Sequence, residues 1–334
     1  MAKANTIKAV LLGILSALFL STGLIVNSLN AFHGGNWAWT ACLRYLLLLP
    51  VLLLLVAARG KLTPLFQVLK HTAGTFLLWG CVGFGGYYAL LSYAITMAPG
   101  WLVTAGFMTT VLAGILISPF IYKDHRAIIS RKALLLSCLL VISLFTMQFE
   151  RLAHLHDKAT IGLSMMMAIV AAFLWPLGNR KLLYKLETEG IQLDPMQRVL
   201  GMTIGSLPVQ IALAAYGYHS SGMPSALQLQ SSVIAVLFSG VFGSILFYKA
   251  MQQAGKHFLS LLTVEATQVL GVLFTLLGEM FFKGTPWPGL FGTLGLVMML
   301  IALGVYIWLS AKNSPAIIKQ QNEQLSFQEL SAAR

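Results

Sequence analysis

Charged residues are scarce in this chain. Only 10% of its 334 residues are Asp, Glu, Lys or Arg, whereas 57% are hydrophobic. About a quarter of the residues in a soluble globular domain are charged, so a water-soluble fold is excluded. The apolar surface must instead face lipid, and we predict an all-α integral membrane protein.

Cysteines and catalytic motifs are also scarce. The three cysteines, Cys42, Cys81 and Cys138, are scattered singly among apolar residues, which argues against a disulfide framework and a zinc site. Neither HExxH nor the phosphate-binding pattern GxxxxGK[ST] occurs. We therefore predict no enzyme activity, no metal and no cofactor. Any uphill transport would then depend on an ion or substrate gradient.

Long apolar runs, by contrast, are abundant. A hydrocarbon core of about 30 Å requires about 20 apolar residues in a helix, and a helix satisfies its own backbone groups in lipid. We predict ten transmembrane helices. They cover Ala9–Val26, Trp37–Ala58, Thr72–Ile95, Trp101–Tyr122, Ala133–Phe149, Ala159–Gly178, Val199–Tyr218, Ser232–Ala250, Phe258–Phe282 and Trp287–Ala311.

Lysine and arginine are distributed unevenly between the two sides of this predicted bundle. If the N-terminus marks the first side, 18 of the 22 Lys and Arg residues fall on that side, 3 fall on the other, and Arg44 lies within a span. Loops rich in Lys and Arg face the cytoplasm. We therefore predict a multi-pass plasma-membrane protein with both termini cytoplasmic. The net charge of +12 then needs no nucleic-acid partner.

The ten helices divide into two groups of five. Because five is odd, the second group must enter the membrane from the opposite side, as in the inverted repeats of many transporters. The glycines of Gly83–Gly86 in the third helix are echoed by Gly240 and Gly243 in the eighth. We predict a first repeat over 1–149, an outer linker over 150–158, a second repeat over 159–311 and a polar cytoplasmic tail over 312–334.

Glu265 is the best candidate for a proton or substrate site. It lies about seven residues into the ninth predicted helix, and Gln268 lies on the same helical face. A carboxylate in a low-dielectric site resists ionisation, so Glu265 could exchange protons near neutral pH or neutralise a cationic substrate. The alternative is a structural role beside Arg44 or a group of hydroxyls.

Arg44 is the other charge deep in a predicted span, about 10 Å below one face at 1.5 Å per residue. Such a charge is costly in lipid and is usually functional. By helix rise, Glu279 near the outer edge is its better-placed partner, and Glu265 lies deeper. We predict a structural or gating pair between Arg44 and Glu279, with direct binding of an anionic substrate as the alternative.

Aromatic and amide side chains supply further candidates for a substrate path. For each of them, ordinary packing within the bundle is the alternative. The candidates are Trp79, Tyr87, Tyr88, Trp175 and Asn27.

Several segments resemble the putative multidrug resistance efflux transporter branch of the drug/metabolite transporter superfamily. They are GGNWAWTACLRYLLLLP at Gly34–Pro50, LWGCVGFGGYYALLSYA at Leu78–Ala94, PGWLVTAG at Pro99–Gly106 and VEATQVLGVLFTLLGE in the ninth helix. The resemblance covers about Lys8 to Trp308. It implies an exporter of small organic molecules, often driven by proton exchange.

The resemblance also implies a cavity surrounded by the first, third, fourth, sixth, eighth and ninth helices. Glu265 would then face the cavity, and Arg44 on the peripheral second helix would be structural. The first helix here lacks the membrane glutamate that the four-helix small multidrug resistance proteins use. Their proton–drug exchange mechanism therefore cannot be transferred.

We predict a secondary transporter that exports a drug or metabolite by alternating access, with protons as the possible coupling ion. An amino-acid or metabolite exporter or facilitator without proton coupling is the alternative within this class. A non-transporting receptor or enzyme subunit is the alternative of another class, although the short loops leave little room for a soluble domain.

Overall fold

The computed structural model describes residues 2–127, 129, 131–154, 158–254 and 258–309. That part of the chain consists of helices joined by short loops, without strands. We label its helices α1 to α10. They are α1 Ala2–Phe32, α2 Trp37–Ala57, α3 Leu62–Met97, α4 Gly100–Ile121, α5 Arg131–His154, α6 Lys158–Thr188, α7 Pro195–Gly205 with Leu207–Ser221, α8 Ala226–Ala254, α9 Phe258–Thr267 with Gly271–Lys283, and α10 Leu290–Leu309.

Within the described residues, eight helices are long and apolar enough to cross a membrane, and the bent pair of α7 brings the number up to nine. The apolar part of α5, Leu134–Phe149, is shorter. The expectation of a multi-pass helical protein is therefore confirmed, while the number ten stays a prediction. The predicted tail 312–334 lies outside the described residues.

The loops define two ends of the bundle. Lys61, before α3, contacts Asp194, before α7, so both loops lie at what we call the Lys61 end. Asn36, before α2, contacts Ser220 near the end of α7 at what we call the Asn36 end. The helix α7 therefore runs from the Lys61 end to the Asn36 end.

Helices α1 and α6 form the centre of the bundle. The helix α1 packs against α8 and α9, and α6 packs against α3 and α4. Two further pairs lie beside this centre: α2 packs against α7, and Gly295 of α10 packs against Ser143 and Met147 of α5. The two larger clusters of buried apolar side chains contain Tyr45 and Leu276.

Several helices depart from regular α-helical geometry in their middle. The segments Cys81–Gly86 of α3 and Val236–Gly243 of α8 are π-helical. The helix α4 is interrupted after Phe107, and α9 has one 3₁₀ turn over Gln268–Leu270. In α7 the two parts meet at 49°, where Pro208 lacks the N–H that would continue the hydrogen-bond ladder.

Close approaches of backbone explain several of the glycines. A Cβ on Gly83 would lie 2.9 Å from the Cα of Gly178, and a Cβ on Gly80 would lie 2.7 Å from the backbone of Gly205. Only glycine permits such contacts, so α3 can approach α6 and α7 closely.

Several predicted helix ends are wrong: α1 continues past Val26 to Phe32, and α3 starts at Leu62 rather than Thr72. The helix α6 continues past Gly178 to Thr188, and α7 starts at Pro195 rather than Val199. As a result, Arg180 and Arg198 lie within helices, although we expected both in loops. The helix α10 starts at Leu290 rather than Trp287, because Pro288 and Gly289 precede it.

Candidate functional site

A cavity of about 350 Å³ lies in the centre of the bundle. All six helices that were expected to surround a cavity contribute to it, and α2 and α7 add Arg44, Arg198, Val199 and Met202. The lining extends to Arg198 in the first turn of α7 and to Met251 in the last turn of α8. It therefore reaches toward the Lys61 end. A cavity of this size is typical of small-molecule sites.

Glu265 and Gln268 both line the cavity, but Glu265 has a cation beside it. Nη2 of Arg180 lies 3.6 Å from Oε2 of Glu265. The same guanidinium donates from Nη1 to the Gly114 carbonyl at 2.6 Å and to Ser118 Oγ at 2.9 Å. The guanidinium of Arg180 therefore provides a counter-charge for Glu265, a partner that the sequence did not predict.

Arg44 also lines the cavity, so its side chain is not confined to the periphery. Its Nη2 donates to Ser239 Oγ at 2.8 Å, and its Nη1 donates to Tyr88 Oη at 3.4 Å. The guanidinium carbon lies 4.8 Å from the centre of the Tyr88 ring, which is a cation–π contact. These partners are all neutral. A Cβ on Gly23 of α1 would overlap Nη1 of Arg44, so the absence of a side chain at Gly23 leaves space for the Arg44 guanidinium.

Glu279 lies outside the described cavity lining, at the Asn36 end. It is fully buried. Its carboxylate accepts from Ser28 Oγ, from Lys283 Nζ at 3.0 Å, and from the Gly100 and Trp101 amides at 2.9 and 3.2 Å. Among the described contacts, Glu279 pairs with Lys283 and not with Arg44, so the predicted pair is wrong. The rise of a helix predicts only how deep a residue lies in the membrane. Which residues meet also depends on the face that each helix turns toward its neighbours.

The remaining predicted residues divide into two groups. Tyr87, Tyr88 and Trp175 line the cavity, whereas Trp79 and Asn27 are not among its described lining residues. Asn27 lies behind Tyr88, whose hydroxyl donates to Asn27 Oδ1 at 2.9 Å. Trp79 packs against the cluster around Tyr45. Asn27 can thus orient the ring that supports Arg44, and Trp79 is a packing residue.

Sequence reasoning missed Arg180 and Arg198 as site residues because it ended α6 too early and started α7 too late. Arg198 lines the central cavity and also a second cavity of about 520 Å³ at the Lys61 end. The second cavity is also lined by Arg59, Lys61, Lys249 and Asp194. Arg180 follows the predicted end of α6 at Gly178 by only two residues, and this closeness to the membrane span could have identified it.

Asp194 is the acid of this second cavity, and it has two partners. Its carboxylate accepts from Lys61 Nζ at 2.8 Å and from the Gln197 amide at 2.9 Å, which caps α7. Partial burial alone would raise the pKa of Asp194, but Lys61 and the Gln197 N–H together hold that pKa below its ordinary value. Its negative charge is therefore already matched by Lys61.

The geometry agrees with the family to which the sequence is similar. The EmrE family, described as putative multidrug resistance efflux transporter, matches residues 7–312. The chain belongs to this family. Membership in the EmrE-like family makes it a multi-pass membrane protein of the drug/metabolite transporter superfamily, and it points to small-molecule efflux rather than to an enzyme.

Two bacterial relatives are similar over most of the chain. "Uncharacterized protein YjlA" of Bacillus subtilis (strain 168) is 34% identical over 324 residues, which cover 94% of this chain and 99% of that protein. "Uncharacterized 42.1 kDa protein in intracellular alkaline protease 3'region" of Shouchella clausii is 33% identical over 274 residues, which cover 80% of this chain and 71% of that protein.

A solved structure is similar in fold. It is described as "Crystal structure of protein", and the TM-score is 0.61 over 91% of this chain and 98% of that one. The sequence identity is 15%, so this likeness concerns the architecture alone.

Proposed function

We propose that this EmrE-family chain exports a small organic molecule by alternating access. The observation that supports this most directly is the cavity of about 350 Å³, which reaches the Lys61 end. At the other end, Glu279 connects α1, α4 and α9 through Ser28 and the Gly100 amide. A transporter open on one side and closed on the other would have such contacts.

Inverted five-helix repeats would provide the second, opposite-facing state. Paired irregularities support them: the third helix of each half has a π-helical segment, Cys81–Gly86 or Val236–Gly243. The fourth helix of each half, α4 or α9, is interrupted near its middle. Such departures often occur at functional sites. In the proposed cycle, each half in turn adopts the conformation that the other half has in this structure, and the cavity then opens to the opposite side.

The proposed orientation places the Lys61 end in the cytoplasm. The distribution of Lys and Arg supports it through the positive-inside rule. The cavity would then be loaded from the cytoplasm, as efflux across the plasma membrane requires. Closure at the Lys61 end and opening near Glu279 would release the molecule outside.

Glu265 and Arg180 are the proposed site of proton coupling. Their atoms lie 3.6 Å apart, and both side chains are partly exposed, at 28% and 20%. Protonation of Glu265 would remove its charge and free Arg180, so the charge of the cavity would change with proton binding. A facilitator without proton coupling remains the competing function.

Flux through proteoliposomes tests both parts of this proposal. Efflux of a mixture containing benzoate, benzamide and benzylamine would be followed by mass spectrometry, with and without an imposed pH gradient. The native chain is expected to transport at least one compound, at a rate that responds to the gradient. Glu265→Gln is expected to abolish that response.

Glu189→Gln is the matched control, because Glu189 is exposed and lies in neither described cavity. It should retain the response to the pH gradient. A full response in Glu265→Gln would contradict proton coupling through this residue. The absence of any flux above that of protein-free vesicles would contradict the transport function itself.

A further inference from the structure

The central cavity carries an excess of positive charge. Its described lining contains three guanidinium groups, those of Arg44, Arg180 and Arg198, and one carboxylate, that of Glu265. Arginine stays protonated in proteins. With Glu265 ionised, these four groups leave a net charge of +2 in an otherwise mostly neutral lining.

One of the three arginines is already matched. Arg180 faces Glu265 at 3.6 Å, and the Gly114 carbonyl and Ser118 hydroxyl accept its Nη1. A Cβ on Gly114 would lie 2.7 Å from Nη2 of Arg180, so this guanidinium is closely held. The positive charge available to a ligand therefore comes from the other two arginines.

Arg44 is held in place without being neutralised. Among the described residues, its hydrogen-bond partners are the hydroxyls of Tyr88 and Ser239. Hydroxyls orient a guanidinium but leave its full charge. A buried charge is costly unless an opposite charge compensates it. An anionic ligand would supply that compensation.

Arg198 extends the positive charge toward the Lys61 end. It lines both described cavities, and its buried Nε has no hydrogen-bond partner in the described part of the chain. The second cavity adds Arg59 and Lys249, while its acid Asp194 is paired with Lys61. A cleft lined by one sign of charge attracts ligands of the other sign.

The rest of the lining suits an apolar or aromatic body. The rings of Tyr87 and Phe107 are stacked with their centres 5.8 Å apart, and Trp175 meets Phe107 edge to face. Such surfaces accept flat, apolar groups. A ligand with an anionic group and a compact apolar part would match both features of the cavity.

We propose that the substrate of this transporter is a small organic anion, such as a carboxylate with an aromatic or apolar body. Its anionic group is bound by Arg44 in the depth of the cavity, and Arg198 attracts it on the way in. This proposal rests on the proposed transport function. It assigns a substrate of opposite charge to the organic cations that a lone acidic residue would select.

A matched series of ligands tests this proposal. Benzoate, benzamide and benzylamine have nearly the same shape and differ in charge. Calorimetric titration of the purified chain in nanodiscs at pH 7 is expected to give binding of benzoate. Benzamide should bind at least about tenfold more weakly, as expected for loss of a charged hydrogen-bond partner, and benzylamine should bind less still.

Substitutions of the two cavity arginines locate the site. Arg198→Gln and Arg44→Gln should each weaken benzoate binding about tenfold or more and leave benzamide binding nearly unchanged. Arg44→Lys keeps the charge and should retain part of the affinity. Arg131→Gln is the matched control, because Arg131 is exposed and lines neither described cavity. It should behave as the native chain does.

Failure of this proposal is distinguishable from failure of transport. Tighter binding of benzylamine than of benzoate, or binding of none of the three, overturns the anion site. Benzylamine export by the native chain would then leave the transport function standing. Equal losses in Arg198→Gln and Arg131→Gln also overturn it, because the effect would be that of overall charge. Benzoate binding without any flux would support the site and contradict transport.

Discussion

At the scale of single residues, Glu279 and Glu265 are two membrane acids with opposite surroundings. Glu279 is fully buried and bonded to Ser28, Lys283 and two backbone amides. Glu265 is partly exposed at the cavity and has one cation at 3.6 Å. The first arrangement fixes the carboxylate with four hydrogen bonds, whereas the second leaves the carboxylate open to the cavity.

Glu279→Gln should therefore destabilise the protein. The change leaves Lys283, which is 14% exposed, without its counter-charge. Breaking a buried ion pair costs about 3 to 5 kcal/mol. Thermal unfolding in detergent should show a clear decrease in Tm.

The exposed pair of Lys185 and Glu189 provides the control. It has the same four-residue spacing and an N–O distance of 2.8 Å, but its side chains are 50% and 34% exposed. An exposed pair contributes about 0 to 1 kcal/mol, so Glu189→Gln should hardly change Tm. Equal changes in the two variants would show that burial of Glu279 does not strengthen its pair.

The sequence predicts a cavity residue when the residue type alone is unusual at its position. Glu265, Gln268 and Tyr87 were identified because polar groups are rare inside apolar runs. The partners of Arg44 could not be identified in this way, because the route of its side chain past Gly23 depends on how α1 and α2 pack. A pairing inferred from depth alone ignores that packing.

At the scale of helices, the ends of α6 and α7 determine which cations reach the site. Apolar composition predicted an end at Gly178, yet α6 continues through Arg180 to Thr188. A helix does not need apolar residues once it leaves the hydrocarbon or borders a polar cavity. For that reason, apolar runs located the helices but ended α6 too early and started α7 too late.

Asp194 at the start of α7 should make the stability of the protein depend on pH. The Asp194 carboxylate caps α7 and binds Lys61, and its pKa lies below the ordinary value. A lowered folded-state pKa stabilises the protein above the unfolded pKa of about 4, and this stability is lost as the pH falls through the folded pKa.

We expect Asp194→Asn to lower stability by up to about 1 kcal/mol at pH 7, since Asn still caps a helix but cannot pair with Lys61. The difference in Tm between the native chain and the variant should shrink as the pH is lowered toward 3. Thermal unfolding over that range measures it. A difference that does not change with pH would show that the charge of Asp194 and its pair with Lys61 do not contribute to stability.

At the scale of the whole molecule, hydrogen bonds at the Asn36 end join the first half of the chain to the second half. Asn30 of α1 accepts a hydrogen bond from Ser231 of α8 at 2.7 Å, and Gln228 of α8 donates to Thr40 of α2 at 2.8 Å. Alternating access would require such contacts to separate. Composition predicted the membrane class and most helices, but only the folded structure brings these distant polar residues together.

A cross-link between Asn30→Cys and Ser231→Cys should therefore stop transport. The three native cysteines would first be replaced by alanine. Oxidation should reduce benzoate efflux at least about tenfold, because the halves can no longer separate at this end, and a reductant should restore it.

Asn30→Cys alone and Ser231→Cys alone are the controls, because a single cysteine cannot form the link. Oxidation of either single variant should leave efflux unchanged. Undiminished efflux through a fully linked 30/231 protein would mean that the Asn36 end does not open during transport.

The glycines beneath the two deep arginines have a further consequence. Gly23 leaves the space that Arg44 occupies, and Gly114 does the same for Arg180. A single methyl group at position 23 would displace the Arg44 guanidinium without removing its charge. Selectivity in the proposed transport would then change through a position that has no side chain.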